Sequence, residues 1–168
     1  MIDMGTVFTW IPADNCTNCM YSNTFPSSYT CPNSEGTCRV DFEKLDQLFY
    51  PKGFVWGSPA TDYFIISGVP FESPINHTFY LAHNISKAFY NISADGLFGL
   101  GLLKDRTDET SFLHSLKASG LIDRLAFSLF LSNNIYASDT NSKIIFGGFD
   151  TRYMKNPSDY FKFAEVQE

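Results

Sequence analysis

Charge is scarce in this sequence. Only 18% of its 168 residues are Asp, Glu, Lys or Arg, and the 18 acids outnumber the 12 bases. A net charge of −6 supplies no basic face for a phosphate backbone, so nucleic acid is not expected as a partner. No apolar run approaches the roughly eighteen residues that a spanning helix requires, so no membrane span is expected. The opening Met1-Ile2-Asp3 lacks the charged and apolar regions of a signal peptide. Any targeting segment is therefore expected upstream, or not at all. No Ser stands in a Gly-x-Ser-x-Gly frame, which argues against a serine hydrolase. The glycines of Ala94–Gly101 come in the wrong order for Gly-x-Gly-x-x-Gly, which argues against a dinucleotide site. Histidine is rare: His77, His83 and His114. His77 and His83 lie beside Asn-x-Ser/Thr sequons and read as solvated. No metal and no cofactor is expected.

Aromatic residues are plentiful, with 17 Phe and 9 Tyr. They favour strands, and with 44% hydrophobic residues they supply enough apolar surface for a real core. The chain shows no repeat, low-complexity tract or linker and reads as one mainly β domain. Its four cysteines, Cys16, Cys19, Cys31 and Cys38, cluster in one polar stretch. An even count there suits disulfides in a secreted protein. Zinc is the competing reading, and the spacing of the second pair is too wide for a good four-thiolate site. The simplest pairing is Cys16–Cys19 with Cys31–Cys38, one of the three that four cysteines allow. Four glycosylation sequons, at Asn15, Asn76, Asn84 and Asn91, support the same compartment.

The chain is organised around Ile2-Asp3-Met4-Gly5-Thr6-Val7-Phe8-Thr9-Trp10-Ile11-Pro12. An Asp in so apolar a stretch needs something to satisfy its charge. Gly5 lets the backbone turn close to the carboxylate. The Thr6 hydroxyl is placed to hydrogen-bond Asp3 and favour its charged form. This is how a chain holds a carboxylate rigidly at a cleft, although a strand-end Asp capping a turn fits the same residues.

Val7–Pro12 reads as a buried strand and Ala13–Thr30 as loop. From Val40, a short helical turn precedes a strand over Gln47–Tyr50. Tyr50-Pro51-Lys52-Gly53-Phe54-Val55-Trp56-Gly57 reads as a hairpin about a Pro-Lys-Gly turn. Strands are expected over Thr61–Ser67 and Thr78–Ala82, and a buried Gly-rich strand over Ala94–Gly101. The best helix is Thr107–Ser119, with Asp108 as cap and Gly120 past its end. Strands over Ala126–Ser132, Lys143–Asp150 and Asp159–Val166 complete the chain, with a turn over Ala137–Ser142.

Several of these stretches together resemble pepsin-like aspartic proteases. Asp3-Met4-Gly5-Thr6, with Trp10 seven residues after the Asp, is similar to that family's first active-site loop. Asn23–Thr30 resembles its Phe-x-Pro-x-x-Ser-x-Thr loop in shortened form, and the four cysteines match the plant-type arrangement around it. Tyr50, Gly53 and Gly57 keep the spacing of the family's flap, with Asp62 five residues further on. Ala94-Asp95-Gly96-Leu97-Phe98-Gly99-Leu100-Gly101 is similar to the strand that backs the catalytic loop. Gly120-Leu121-Ile122, the Phe127-Ser128 strand and Phe146-Gly147-Gly148-Phe149-Asp150 follow in the family's order.

The resemblance runs from Ile2 to about Val166. It implies a pepsin-like lobe of antiparallel sheets with one or two short helices, covering residues 1–168 as an N-terminal lobe without its first strands or its C-terminal lobe. It implies an aspartic endopeptidase in which Asp3 is one catalytic carboxylate, Gly5 and Thr6 complete its loop, and Tyr50, Gly53 and Trp10 belong to flap and cleft. The substrate would be a peptide or protein, and the compartment secreted or lysosome- or vacuole-like. The mechanism requires two carboxylates sharing a proton. No second Asp here stands in a matching context, so the missing lobe, or a second copy of this chain, is expected to supply it. Met4 departs from the family's Thr, which hydrogen-bonds across the lobes. Pro51, Lys52 and Phe54 depart from its flap. A non-catalytic pepsin-like module that binds peptide or protein is the alternative.

Overall fold

The computed structural model describes residues 1–19, 28–31, 36–66, 74–90, 94–101, 111–132 and 142–156. The chain separates into two compact units, Met1–Leu121 and Ile122–Glu168. The first is mainly β. A five-stranded sheet runs β2 (Trp10–Thr17), β6 (Ile75–Ile85), β5 (Gly53–Phe64), β3 (Arg39–Val40), with β4 (Asp46–Tyr50) also paired to β5. A second, two-stranded ladder joins β1 (Ile2–Asp3) to β7 (Phe98–Gly99). A single-turn 3₁₀ helix, Lys87–Phe89, follows β6, and one α-helix, α1 (Phe112–Ala118), lies after β7.

Antiparallel pairing holds for β3–β5, β4–β5 and β5–β6, whereas β1–β7 and β2–β6 are parallel. Parallel neighbours need a long crossover. Here the intervening strands supply it in place of a helix, and a strand-by-strand reading of the sequence does not reveal that.

The long hairpin β5–β6 is the centre of the sheet. Its residues alternate, with Ile75, His77 and Phe79 buried on β6 and Asn76 exposed between them. Two groups of buried residues stand out in the core among the described residues. Trp10, Leu48, Val55, Tyr80, Ala82, Ile85 and Leu97 make one, and Ala13, Ala60, Phe79 and Leu81 the other. The strands run longer than expected: β5 continues from Gly53 through Gly57 and Pro59, and β6 extends the expected Thr78–Ala82 at both ends. The expected turn before β4 is present, with Lys44 N–H donating to the Asp41 carbonyl.

Val7–Thr9 is not strand, contrary to expectation. Phe8 N–H donates to Thr6 Oγ1 at 3.2 Å and Gly99 N–H to Thr9 Oγ1 at 3.2 Å, so side chains take bonds that a ladder would otherwise make. Regular pairing begins at Trp10. The polar stretch expected as loop is partly strand, because β2 carries on to Thr17.

Helix α1 begins after Ser111, which makes no side-chain cap bond. The expected cap, Asp108, lies outside the described residues, as do Asn91, most of Asn23–Thr30, the start of the Ala137–Ser142 turn and the Asp159–Val166 strand. The helix end is as expected: Gly120 has φ +70°. Its N–H donates to the Lys117 carbonyl and that of Leu121 to the Leu116 carbonyl, the pair of bonds that closes a helix on a left-handed glycine.

Both expected disulfides are formed, Cys16–Cys19 and Cys31–Cys38. The second closes a loop that is also tied to β5. Asp62 accepts hydrogen bonds from the hydroxyls of Tyr29 and Thr37 and, at 2.7 Å, from Tyr63 N–H. Partial burial works against the Asp62 charge, but Thr37, Tyr29 and Tyr63 outweigh it, and the carboxyl sits below the usual range. Burial, the bond to Asp62 and its charge push the Tyr29 phenol up to about 12.

In the second unit, β8 (Phe127–Phe130) pairs antiparallel with β9 (Lys143–Phe146). Tyr153 stacks on Phe130 at 4.4 Å, and Asp150 pairs with Arg152 at 2.5 Å.

Gly99 has no room for a side chain. A Cβ there would lie 2.5 Å from the Val7 carbonyl carbon and 2.6 Å from the Phe8 oxygen. Gly120, by contrast, has open space but a left-handed backbone. Gly99→Ala is therefore expected to cost about 3 kcal/mol, the upper end of overpacking penalties, because backbone cannot rotate away. Gly120→Ala is expected to cost roughly 1 kcal/mol. Urea unfolding of both variants checks this. Equal or reversed costs would contradict the close approach.

Candidate active site

Asp3 ends β1, where the chain leaves the parallel ladder with Phe98–Gly99. Its carboxylate Oδ1 accepts the N–H of Gly5 at 2.8 Å. A Cβ on Gly5 would stand 3.3 Å from that oxygen, so glycine keeps the turn tight against the acid. The Thr6 hydroxyl does not take the expected bond to Asp3. It accepts Phe8 N–H instead, a short local turn that a hydroxyl two residues back favours.

The segment 97–101 holds this loop from behind on both sides. Phe98 N–H donates to the Met1 carbonyl at 2.7 Å and Leu100 N–H to the Asp3 carbonyl at 2.8 Å. Gly101 N–H donates to the Thr6 carbonyl at 2.7 Å, while Trp10 and Leu97 exchange two bonds at 2.9 Å. The segment thus lies between the two arms of the Asp3 loop and bonds to each. Gly101 is needed as Gly99 is: a Cβ would meet Thr6 backbone at 2.7 Å.

Tyr50 and Gly53 close the two-residue turn at Pro51-Lys52 between β4 and β5. Tyr50 is half-buried and packs with Trp10. Phe89 joins them, its ring edge-on to Trp10 at 5.7 Å and to Tyr50 at 5.3 Å. Burial pushes the Tyr50 phenol up. The side chains of Thr6 and Trp10 act the other way, and the Asp3 charge adds to the rise. Asp3, Thr6 and Trp10 therefore lie close enough to Tyr50 to act on its phenol. The Tyr50 hydroxyl and the Trp10 indole N–H are both buried, and neither closes a hydrogen bond of ordinary length and angle. They are neighbours rather than a bonded pair.

Two contributors escape a reading of the sequence. Thr9, 3% exposed, fixes Gly99 through its hydroxyl. Phe89 sits on a short turn between two sequons, where nothing marks it as part of the site. Met4 is 61% exposed beside Asp3, and Ile2 50%. Cys16, Cys19, Cys31 and Cys38 are taken up in disulfides, with Cys19 packed against the cluster that contains Trp10. Asn15 and Asn76 are exposed, and Asn84 is half-buried. Among the described residues no cluster of His, Cys, Asp or Glu is arranged to hold a metal, and no helix is long and apolar enough to cross a membrane.

His77 is a correction. It is not solvated but 1% exposed. Its ring stands edge-on to Phe112 at 5.1 Å and to Phe64 at 5.3 Å. Its Nδ1 and the Ser115 hydroxyl are hydrogen-bonded at 3.0 Å, and its Nε2 has no partner. The period-two alternation of β6 decides this, placing His77 on the same side as Ile75 and Phe79. His83 is half-buried, with Nε2 bonded to the Ser58 hydroxyl at 3.2 Å. Burial lowers the His83 pKa and pushes His77 down to about 4.

A family model described as eukaryotic aspartyl protease matches residues 1–166. Rhizopuspepsin-5 of Rhizopus niveus is 28% identical over 91% of this chain, a region that makes up 37% of that protein. Plasmepsin VIII of Plasmodium berghei (strain Anka) is 28% identical over 95% of this chain and 40% of its own length. The chain thus spans about two fifths of the length of these relatives.

The buried His77 has a consequence for pH. The unfolded chain takes up a proton near pH 6.5, whereas the folded one resists until about pH 4. Stability is then complete above about pH 6.5 and falls on acidification toward pH 4, by up to about 3 kcal/mol. Urea unfolding at pH 7 and pH 4.5, beside His77→Gln, tests this. The wild type is expected to lose about 2 kcal/mol more than the variant between the two conditions. Equal losses would contradict a buried neutral imidazole.

Proposed function

This chain belongs to the eukaryotic aspartyl protease family, and from that premise we propose that it carries one half of an aspartic endopeptidase site, with Asp3 as its catalytic carboxylate. The observation that supports this most is the setting of Asp3. Its carboxylate is pinned by the Gly5 N–H, on a loop whose both arms are bonded to the segment 97–101. Gly5 and Thr6 shape that loop. Tyr50 and Gly53, at the β4–β5 turn, form a flap over a cleft whose wall includes Trp10.

Hydrolysis of a peptide by this route needs a second carboxylate, because two acids sharing one proton divide the roles of base and acid. One takes a proton from water as it attacks the scissile carbonyl, and the other gives a proton to the carbonyl oxygen. Asp3 fills one of these roles. In this reading residues 1–168 are an N-terminal lobe, and the second acid comes from a C-terminal lobe or from a second copy of the chain. The two disulfides favour a secreted or lysosome- or vacuole-like setting, since such bonds persist where the medium is oxidising. The substrate is a peptide or protein, with Pro51, Lys52 and Phe54 giving the flap its own preference.

One observation favours the second reading, a non-catalytic peptide-binding module. Met4 stands beside Asp3 where the family's pattern has a hydroxyl, and it offers only a weak sulfur acceptor.

The chain alone is expected not to cleave denatured haemoglobin between pH 2 and pH 7. Mixed with a separately folded C-terminal lobe of a pepsin-like relative, it is expected to gain cleavage that Asp3→Asn lowers by about 10²–10⁴-fold. Cleavage by the chain alone that Asp3→Asn abolishes would assign the second acid to another copy. Cleavage indifferent to Asp3→Asn would contradict the proposed role of Asp3, and no cleavage in any mixture would favour the binding module.

A further inference from the structure

A groove of about 530 Å³ is lined by Thr61, Asn76, Thr78, His114, Ser115, Ala118 and Ser119, none of them on the Asp3 loop. Its volume falls within the roughly 300–1,000 Å³ of small-molecule clefts. Among the described residues no carboxylate, ammonium or guanidinium lines it. Its chemistry suits a neutral ligand that carries hydroxyls and an amide rather than an ion. The Thr61 and Thr78 hydroxyls are already ordered against each other at 3.2 Å. His114 Nδ1 is buried without a hydrogen-bond partner.

One wall of this groove is itself a point of attachment. Asn76 is exposed at the start of β6, paired with Tyr63, and it opens the sequon Asn76-His77-Thr78. Strand alternation sets Asn76 and Thr78 apart from the buried Ile75, His77 and Phe79. A substituent on Asn76 therefore leaves the core undisturbed. Asn84, half-buried on the same strand with Trp56 and Thr17 as its neighbours in the sheet, has less room.

We propose that Asn76 carries an N-linked glycan whose first N-acetylglucosamine folds back into this groove. The donor is an oligosaccharide on a lipid diphosphate. The Asn76 side-chain nitrogen forms a bond to C1 of the sugar and loses a proton, while the C1–O bond to the diphosphate breaks and the diphosphate leaves with its electrons. Once attached, the sugar meets the hydroxyls of Thr61, Thr78 and Ser119 with its own hydroxyls and acetamide. The proposal is independent of the role of Asp3.

The test is to secrete the chain from a eukaryotic host behind a removable leader. Peptide mapping after enzymatic release of glycans in ¹⁸O-water reads the occupancy of each sequon, and Asn76 is expected to be occupied. The glycans are then trimmed to a single N-acetylglucosamine, and this form is melted beside Asn76→Gln. The trimmed chain is expected to melt about 2–4 °C higher. The difference should vanish when both are made in a Thr61→Val, Ser119→Ala background that is still glycosylated. An unmodified Asn76 in the secreted chain would overturn the proposal. So would equal melting of the trimmed chain and Asn76→Gln, because the sugar would then project into solvent.

Discussion

The close approach of two backbones governs the region around Asp3. Residues 97–101 pass between the arms of the loop that runs from Met1 to Trp10, and each arm makes hydrogen bonds to them. Such an approach is open only to residues without side chains at the contact points, and Gly99 and Gly101 stand there. Five carbonyl or amide groups on the loop are thereby satisfied. The Asp3 carboxylate is consequently left to the Gly5 N–H, at the end of a strand and half open to solvent. A carboxylate held in this way keeps one position while remaining available for chemistry.

The aromatic residues extend this order outward. Trp10 leaves the loop to enter the core, and Phe89 and Tyr50 pack against it from a turn and from the hairpin. The hairpin is thus tied to the Asp3 loop through these rings. On the other side of the sheet's long strands, His77, Phe64, Phe79, Phe98 and Phe112 meet edge to face, which docks α1. Asp62 ties the polar loop, which the Cys31–Cys38 bridge closes, to β5. Each tie joins segments far apart in sequence.

The broad outline was legible in the residues. Gly5 beside Asp3, the Tyr50–Gly53 turn, the Leu97–Gly101 run, Gly120 past the helix and the cysteine pairing all carry local signals of fixed spacing. What was not legible depends on tertiary context. Gly57 and Pro59 normally punctuate strands, so the sequence reads as broken where β5 continues. Gly57 is there because the Leu81 carbonyl would lie 2.7 Å from a Cβ. His77 was misread through its polar neighbours, although Ile75-x-His77-x-Phe79 carried the correct alternation. Asp3 lies three residues from Thr6, but the Phe8 N–H lies only two away and takes its hydroxyl. Phe89 had no signal at all, since its role is set by where β6 ends.

Amide hydrogen exchange by ¹H–¹⁵N NMR reads the governing contact most directly. If the backbone of residues 97–101 is locked between the arms of the Asp3 loop, the amides of Leu97, Phe98, Gly99, Leu100 and Gly101 exchange together with that of Trp10, in the slowest class of the first unit. The exposed Gly36 and Thr37 amides provide the fast reference. Exchange of Gly99 and Gly101 at the rate of that reference would contradict the arrangement around which the site is built.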